Sequence, residues 1–387
     1  MSVTTTSFPD ASGWDAWRRA HFPVFNHKIF LTHASVSPLP KAVTDAIAGY
    51  ADRASQHGQW DAWHDEMYFR CKDRIARLIG APSQSSQIAF ASSTSHAIGL
   101  VATSLPWKPG DNCIVADGDF PANVIPWKNL QFTHGVATRI IPGKPERPIT
   151  IADIEPLIDE NTRIVSLASA NFLSGIPLDI NTIGRWLKER KVLFCVDGIQ
   201  TLVRFDATYV DFVCADAHKW LLGPNGIAFM WAREEALQTM RPSILGWLAV
   251  QNRDRWLEYD TTPILSAERF EPGSRNYVGI IALDAALQIF ESYGLEQIEN
   301  RINDLRQYAA AKLQEKGCRL LWQPTADLPA GIITFQPPDG NATAFSQKTE
   351  SAFMLSLRDD KSGDKWIRMS AHFMNCPNDI DKLTNHL

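Results

Sequence analysis

Two stretches set reactive side chains directly behind apolar runs. In Val192 to Gln200 (VLFCVDGIQ) an apolar run leads straight into Asp197. In Val213 to Gly223 (VCADAHKWLLG) another is followed by His218 and Lys219, after which Gly223, Pro224 and Gly226 turn the chain. A carboxylate at the carboxyl end of a parallel strand stands where open α/β sheets bind ligands. A lysine in the corresponding place on a neighbouring strand can attack a carbonyl group and carry protons. A third stretch, Ser92 to Ile98 (SSTSHAI), opens a helix after an apolar run. Helix N-terminal amides and hydroxyls converge there on an anion, although the same residues are also ordinary caps. Near the carboxyl end, Trp366 to Asn375 (WIRMSAHFMN) holds Arg368 among apolar neighbours. Such a guanidinium can grip a carboxylate through two parallel hydrogen bonds.

The elements that must position these groups follow from hydrophobic patterning. Between about Gln87 and Trp231 short apolar runs alternate with amphipathic or loop segments, as in a mainly parallel sheet covered by helices. The expected strands are Ile88 to Phe90, Cys113 to Ala116, Ala137 to Ile141, Ile164 to Ala168, Leu193 to Val196, Phe212 to Ala215 and Ile227 to Trp231. All read as buried on both faces. Ile151 to Ile158 and Ile183 to Lys188 have helical spacing. After Pro263 the pattern becomes long helices over Ile280 to Tyr293 and Leu295 to Lys316, a strand over Gly331 to Phe335 and a last helix from about Asn378, which suits a smaller α+β unit. The organisation expected is a segment 1–35 joining the small domain, a large domain 36–262 and a small domain 263–387.

Composition narrows the function classes. With 387 residues, 45% apolar and 21% charged, the chain is of ordinary globular make-up and too long for one simple core. Its net charge is −5 with scattered positive residues, so neither nucleic acid nor an anionic membrane is an expected partner. No signal sequence and no membrane-length apolar run is visible, and a cytoplasmic location is expected. The six cysteines, Cys71, Cys113, Cys195, Cys214, Cys318 and Cys376, have no zinc-like or paired spacing, so no metal site is expected.

The succession V-D-G-I-Q, A-H-K-W and G-P-x-G resembles the class V aminotransferases, the family that includes cysteine desulfurases, isopenicillin-N epimerase-like proteins and kynureninase. The resemblance covers most of the chain and implies the PLP-dependent transferase fold of type I, an α/β architecture, with pyridoxal 5′-phosphate (PLP) as cofactor. It implies that Lys219 holds the cofactor as a Schiff base and that Asp197 pairs with the pyridine nitrogen, keeping the ring an electron sink. By the same resemblance His218 packs beside the ring as a third catalytic-site residue. Gln200 and Asn171 (in A-N-F-L-S-G) contact the cofactor, Asn171 touching the substrate too, and Thr94 and Ser95 take the phosphate. Phe120, in Asp119 to Trp127 (DFPANVIPW), lies over the ring, where relatives carry an aromatic or histidine. Ser274, in Phe270 to Tyr277 (FEPGSRNY), reaches the phosphate of a partner subunit, so a homodimer with composite sites is implied. Arg368 grips the α-carboxylate of an amino-acid substrate, and His33 and Ala34, in Phe30 to Pro40 (FLTHASVSPLP), lie closest to that substrate.

One departure bears on the reaction. Cysteine desulfurases need a mobile thiolate shortly before the arginine strand, yet Thr349 to Lys365 contains no cysteine and Cys376 follows the strand. A cysteine-type C–S β-lyase is therefore the first expectation. Transamination, epimerisation, desulfuration and a non-catalytic scaffold follow it, and a nicotinamide dehydrogenase is disfavoured because no G-x-G-x-x-G follows an early strand.

Overall fold

The computed structural model describes residues 6–81, 84–143, 146–200, 207–325 and 330–387. Seven strands form one mixed sheet in the spatial order Ile88–Ala91, Ala228–Ala232, Phe212–Asp216, Leu193–Asp197, Thr162–Ala168, Asn112–Ala116 and Ala137–Ile141. The contacts from Phe212–Asp216 through to Ala137–Ile141 are parallel, and Ala228–Ala232 runs antiparallel to both its neighbours. Val, Ile, Phe and Cys fill the central strands because helices cover both faces. Cys113, Cys195 and Cys214 are buried in these strands, as small core residues. Ala137–Ile141 departs from the expectation of two-sided burial. It is an edge strand with only Ile141 buried, which is why it tolerates Thr138 and Arg139.

Register brings the reactive ends together. Asp197 pairs with Ala168 on one side and Cys214 on the other, so the carboxyl ends of three parallel strands are level. The helix Thr94–Ser104 begins behind Ile88–Ala91, with Ser93 as its cap accepting from the His96 N–H. The expected helix over Ile151 to Ile158 is one α-turn, Ile151–Ile154, followed by a 3₁₀ turn at Glu155–Leu157. Pro156 lacks the N–H that would continue it.

A second, antiparallel sheet has the order Ser356–Asp359, Lys365–Ser370, Ile332–Gln336 and Arg319–Leu320. The early strand Ile29–Phe30 runs parallel to Phe353–Met354, and Thr32 bridges to Ser370, so the start of the chain lies beside this sheet. The helix Tyr277–Tyr293 packs instead on Lys41–His57 and Asp65–Leu78. Arg70 and Arg74 clasp its Asp284, and Arg74 and Arg77 its Glu291.

Close approach defines the junction between the sheets. Gly175 has φ +73, and a Cβ there would stand 2.6 Å from Cβ of Ile332. Only glycine satisfies both demands. Among the described residues no single helix is long and apolar enough to cross a membrane.

Candidate active site

Lys219 follows the Phe212–Asp216 strand and is almost wholly buried. Its Nζ lies 5.4 Å from the centre of the Phe120 ring, and the half-exposed Phe120 packs edge-on against Phe172. Burial pulls the amine down to about 8, opposed by Asp197 and reinforced by Arg368. Asp197, which ends its strand, is pushed up to about 7 by burial and then by Asp119. The Ile199 N–H, at 3.1 Å, and the Lys219 charge pull it back. A buried carboxylate this poorly compensated calls for a cationic partner.

The other expected contacts surround this pair. Thr94 is buried, and its hydroxyl oxygen accepts from the Asp216 N–H at 3.0 Å, tying the helix start to the strand end before Lys219. Ser95 is exposed on the same turn, ahead of the bond from the Ala97 N–H to the Ser93 carbonyl. His218 places Nδ1 2.7 Å from Asp216 Oδ1, off the line of a hydrogen bond. Asn171 spends its side-chain oxygen on the N–H groups of Leu173 and Ser174 and donates to the Gly118 carbonyl. Gln200 donates to the Ala34 carbonyl and accepts from the Trp220 indole, both at 3.3 Å, and among the described residues its second amide proton has no acceptor. Ser274 is exposed in a loop whose root, Glu271, accepts from the Phe90 N–H and Tyr68 and pairs with Lys72 and Arg275.

His33 and Ala34, expected closest to the substrate, are both fully buried beside the lysine turn. The His33 ring lies edge-on to Phe30 and His372, and burial holds its pKa well below the ordinary value. Ser37 donates to the Lys219 carbonyl at 2.6 Å, so His33 Nδ1, 2.9 Å from the same hydroxyl, must carry the proton it donates. His372 likewise donates from Nε2 to the Trp220 carbonyl at 3.0 Å. These histidines position the lysine turn.

Sequence reasoning missed Ser35 and Arg358. Arg368, buried opposite Ser356 in the sheet, donates to the Phe172 carbonyl at 2.6 Å and to Ser35 Oγ at 2.5 Å. Among the described residues its buried Nε has no partner. Arg358 donates to the same Ser35 oxygen at 2.9 Å. Burial, and next the like charge of Arg358, pull Arg368 down to about 9.

This arrangement fits pyridoxal phosphate. Lys219 would hold its aldehyde, Asp197 its ring nitrogen, Phe120 its ring face, and the helix start at Thr94 and Ser95 its phosphate. Bound there, the cofactor supplies a sink for the electron pair left at a deprotonated carbon.

Comparison with known proteins agrees. The family profile Aminotransferase class-V matches residues 29–383. A cysteine desulfurase of Dickeya dadantii is 32% identical over 335 residues, covering 82% of this chain and 80% of the relative. The apo cysteine desulfurase of Thermococcus onnurineus superposes with a TM-score of 0.85 at 22% identity, covering 98% of both chains. The cystine C-S lyase C-DES, solved with cysteine persulfide, does so with a TM-score of 0.83 at 19% identity, covering 94% of this chain and 98% of that one. The fold is thus that of the type I PLP enzymes, and the chain belongs to the class V aminotransferases, a family of PLP-dependent enzymes.

Proposed function

We propose that the protein is a C–S β-lyase acting on a cysteine-type α-amino acid. The observation that carries this reading is the hairpin between Ser356–Asp359 and Lys365–Ser370. Five residues, Asp360 to Asp364, close it, and Asp360 Oδ1 accepts from the N–H groups of Ser362 and Asp364. A turn so short and internally bonded has neither a cysteine nor the reach to swing one towards Lys219. Cys376 offers no substitute. It caps the final helix beside Arg18 and Asp379, and burial raises its pKa, which disfavours the thiolate.

In this reading Arg368 holds the α-carboxylate and Lys219 Nζ takes the proton from Cα. The Cβ–S bond breaks with its electrons on sulfur, and water converts the remaining fragment to pyruvate and ammonia. The exposed Ser274 and a group of exposed apolar side chains, among them Ile244, Trp247, Trp256 and Leu257, support a homodimer. A fully active monomer in sedimentation runs at assay concentration would refute that state.

The reaction is tested by incubating holoenzyme with S-methylcysteine and assaying pyruvate, ammonia and thiol. All three should appear together, and Cys376→Ala should turn over nearly as fast. A persulfide on Cys376 with loss of turnover in that variant would make the enzyme a desulfurase. Stoichiometric consumption of a keto acid without pyruvate would make it a transaminase.

A further inference from the structure

Arg358 and Arg368 share a face because of strand register. Ser356 lies directly opposite Arg368 in the antiparallel pair, and Arg358 is two residues along from Ser356, hence on the same side of the sheet. Both guanidiniums donate through Nη2 to the one hydroxyl of Ser35, at 2.9 and 2.5 Å, so they can be no further apart than those two bonds laid end to end. The same hydroxyl also lies 2.6 Å from Ser356 Oγ and accepts from Thr32 at 3.1 Å. No carboxylate among the described residues lies within ion-pair distance of either arginine, although most other buried or half-buried arginines have one. Both also act on the Lys219 amine as nearby positive charges. Like charges held this close by a neutral bridge are costly unless an anion joins them. With an α-carboxylate gripped by both arms of Arg368, Arg358 is left for a second anion.

We propose that the substrate carries a second anionic group on its side chain, which Arg358 binds while Arg368 binds the α-carboxylate. The proposal deepens the lyase reading, naming as substrate class cysteine with an acidic substituent on sulfur, for which S-sulfocysteine is the probe. Lys219 takes the Cα proton, the Cβ–S bond breaks with its electron pair on sulfur, and thiosulfate departs. Hydrolysis of the three-carbon remainder gives pyruvate and ammonia, and no oxidant or reductant is consumed. Thiosulfate, the conjugate base of a far stronger acid than an alkyl thiol, also departs more readily than an alkyl thiolate, so Arg358 would act on both recognition and departure.

Two measurements on the holoenzyme separate this proposal from the reaction type. The first is calorimetric binding of glutarate and pentanoate, which match in length, differ by one carboxylate and carry no reactive amine. Glutarate should bind about tenfold more tightly, and Arg358→Gln should erase the difference. Arg358→Lys, which keeps the charge, should retain part of it. The second is the ratio of kcat/KM for S-sulfocysteine to that for S-methylcysteine. Arg358→Gln should lower that ratio by about 30-fold, whereas Arg368→Gln should depress both substrates and leave the ratio near its original value. Equal binding of the two acids, or a preference that survives Arg358→Gln, would overturn the proposal. So would equal losses on both substrates in Arg358→Gln, since both arginines would then serve the α-carboxylate. A glutarate preference without pyruvate from either amino acid would uphold the second anion site and reject the lyase reading.

Discussion

Trp220 and Gly331 meet across the junction of the two sheets: a methyl group at 331 would stand 2.0 Å from Cη2 of the indole. Trp220 directly follows Lys219, and its ring also bonds Gln200. The small sheet therefore presses on the residue next to the amine through a position where any side chain is excess.

Gly331→Ala should destabilise the protein by about 1–3 kcal/mol through overpacking. It should also slow cofactor loading, because the displaced indole is bonded to the lysine turn. Urea unfolding and the rate at which the cofactor absorbance develops in apoprotein check the two effects separately. Unchanged stability would show that the indole has room to rotate away.

Borohydride treatment of holoenzyme should fix the cofactor on Lys219, and Lys219→Ala should give colourless protein. Peptide mapping by mass spectrometry reads the site directly, and a label on any other lysine rejects the assignment.

Asp197 gives a pH signature in the cofactor-free protein. Its folded pKa is raised from 3.8 to about 7, so the native state holds a proton that the unfolded chain releases. The associated stability is complete below the unfolded pKa and is lost as pH rises towards 7. Relative to Asp197→Asn, apoprotein should lose on the order of 2 kcal/mol between pH 5 and 7. Parallel stability curves for the two proteins would contradict this. Holoenzyme should show less of the difference, because a pyridinium keeps the carboxylate ionised.

Arg368→Ala should leave cofactor absorbance intact while lowering kcat/KM by roughly two to three orders of magnitude. The buried Nε, without a partner among the described residues, motivates the expectation. Kinetics equal to those of the parent on a simple amino acid would remove Arg368 from the substrate site.

What the sequence made legible was whatever local pattern controls. Asp197 and Lys219 could be placed because uninterrupted apolar runs lead into both, and such runs become central strands. The helices Lys41–His57 and Asp65–Leu78 were not anticipated. The first buries only Val43 and Tyr50 and so carries a faint apolar stripe. The part that Ser35 plays in FLTHASVSPLP was hidden for a geometric reason. The turn in which the Ser35 N–H bonds the Thr32 carbonyl leaves Ser35 bonded to both arginines and buries His33. Arg358 was illegible because its side is set by pairing with Lys365–Ser370, a long-range register that no local motif encodes.

The bonds that hold the lysine turn have a consequence for the order in which the molecule can be made. The Lys219 carbonyl is held by Ser37, 182 residues earlier, and the Trp220 carbonyl by His372, 152 residues later. Contacts of such separation close late, after the intervening chain has been ordered. On a ribosome, the large sheet can assemble while His372 is still unsynthesised, but its reactive amine then stands in an unfinished turn. Cofactor capture thus belongs to the completed chain, in which both bonds can form.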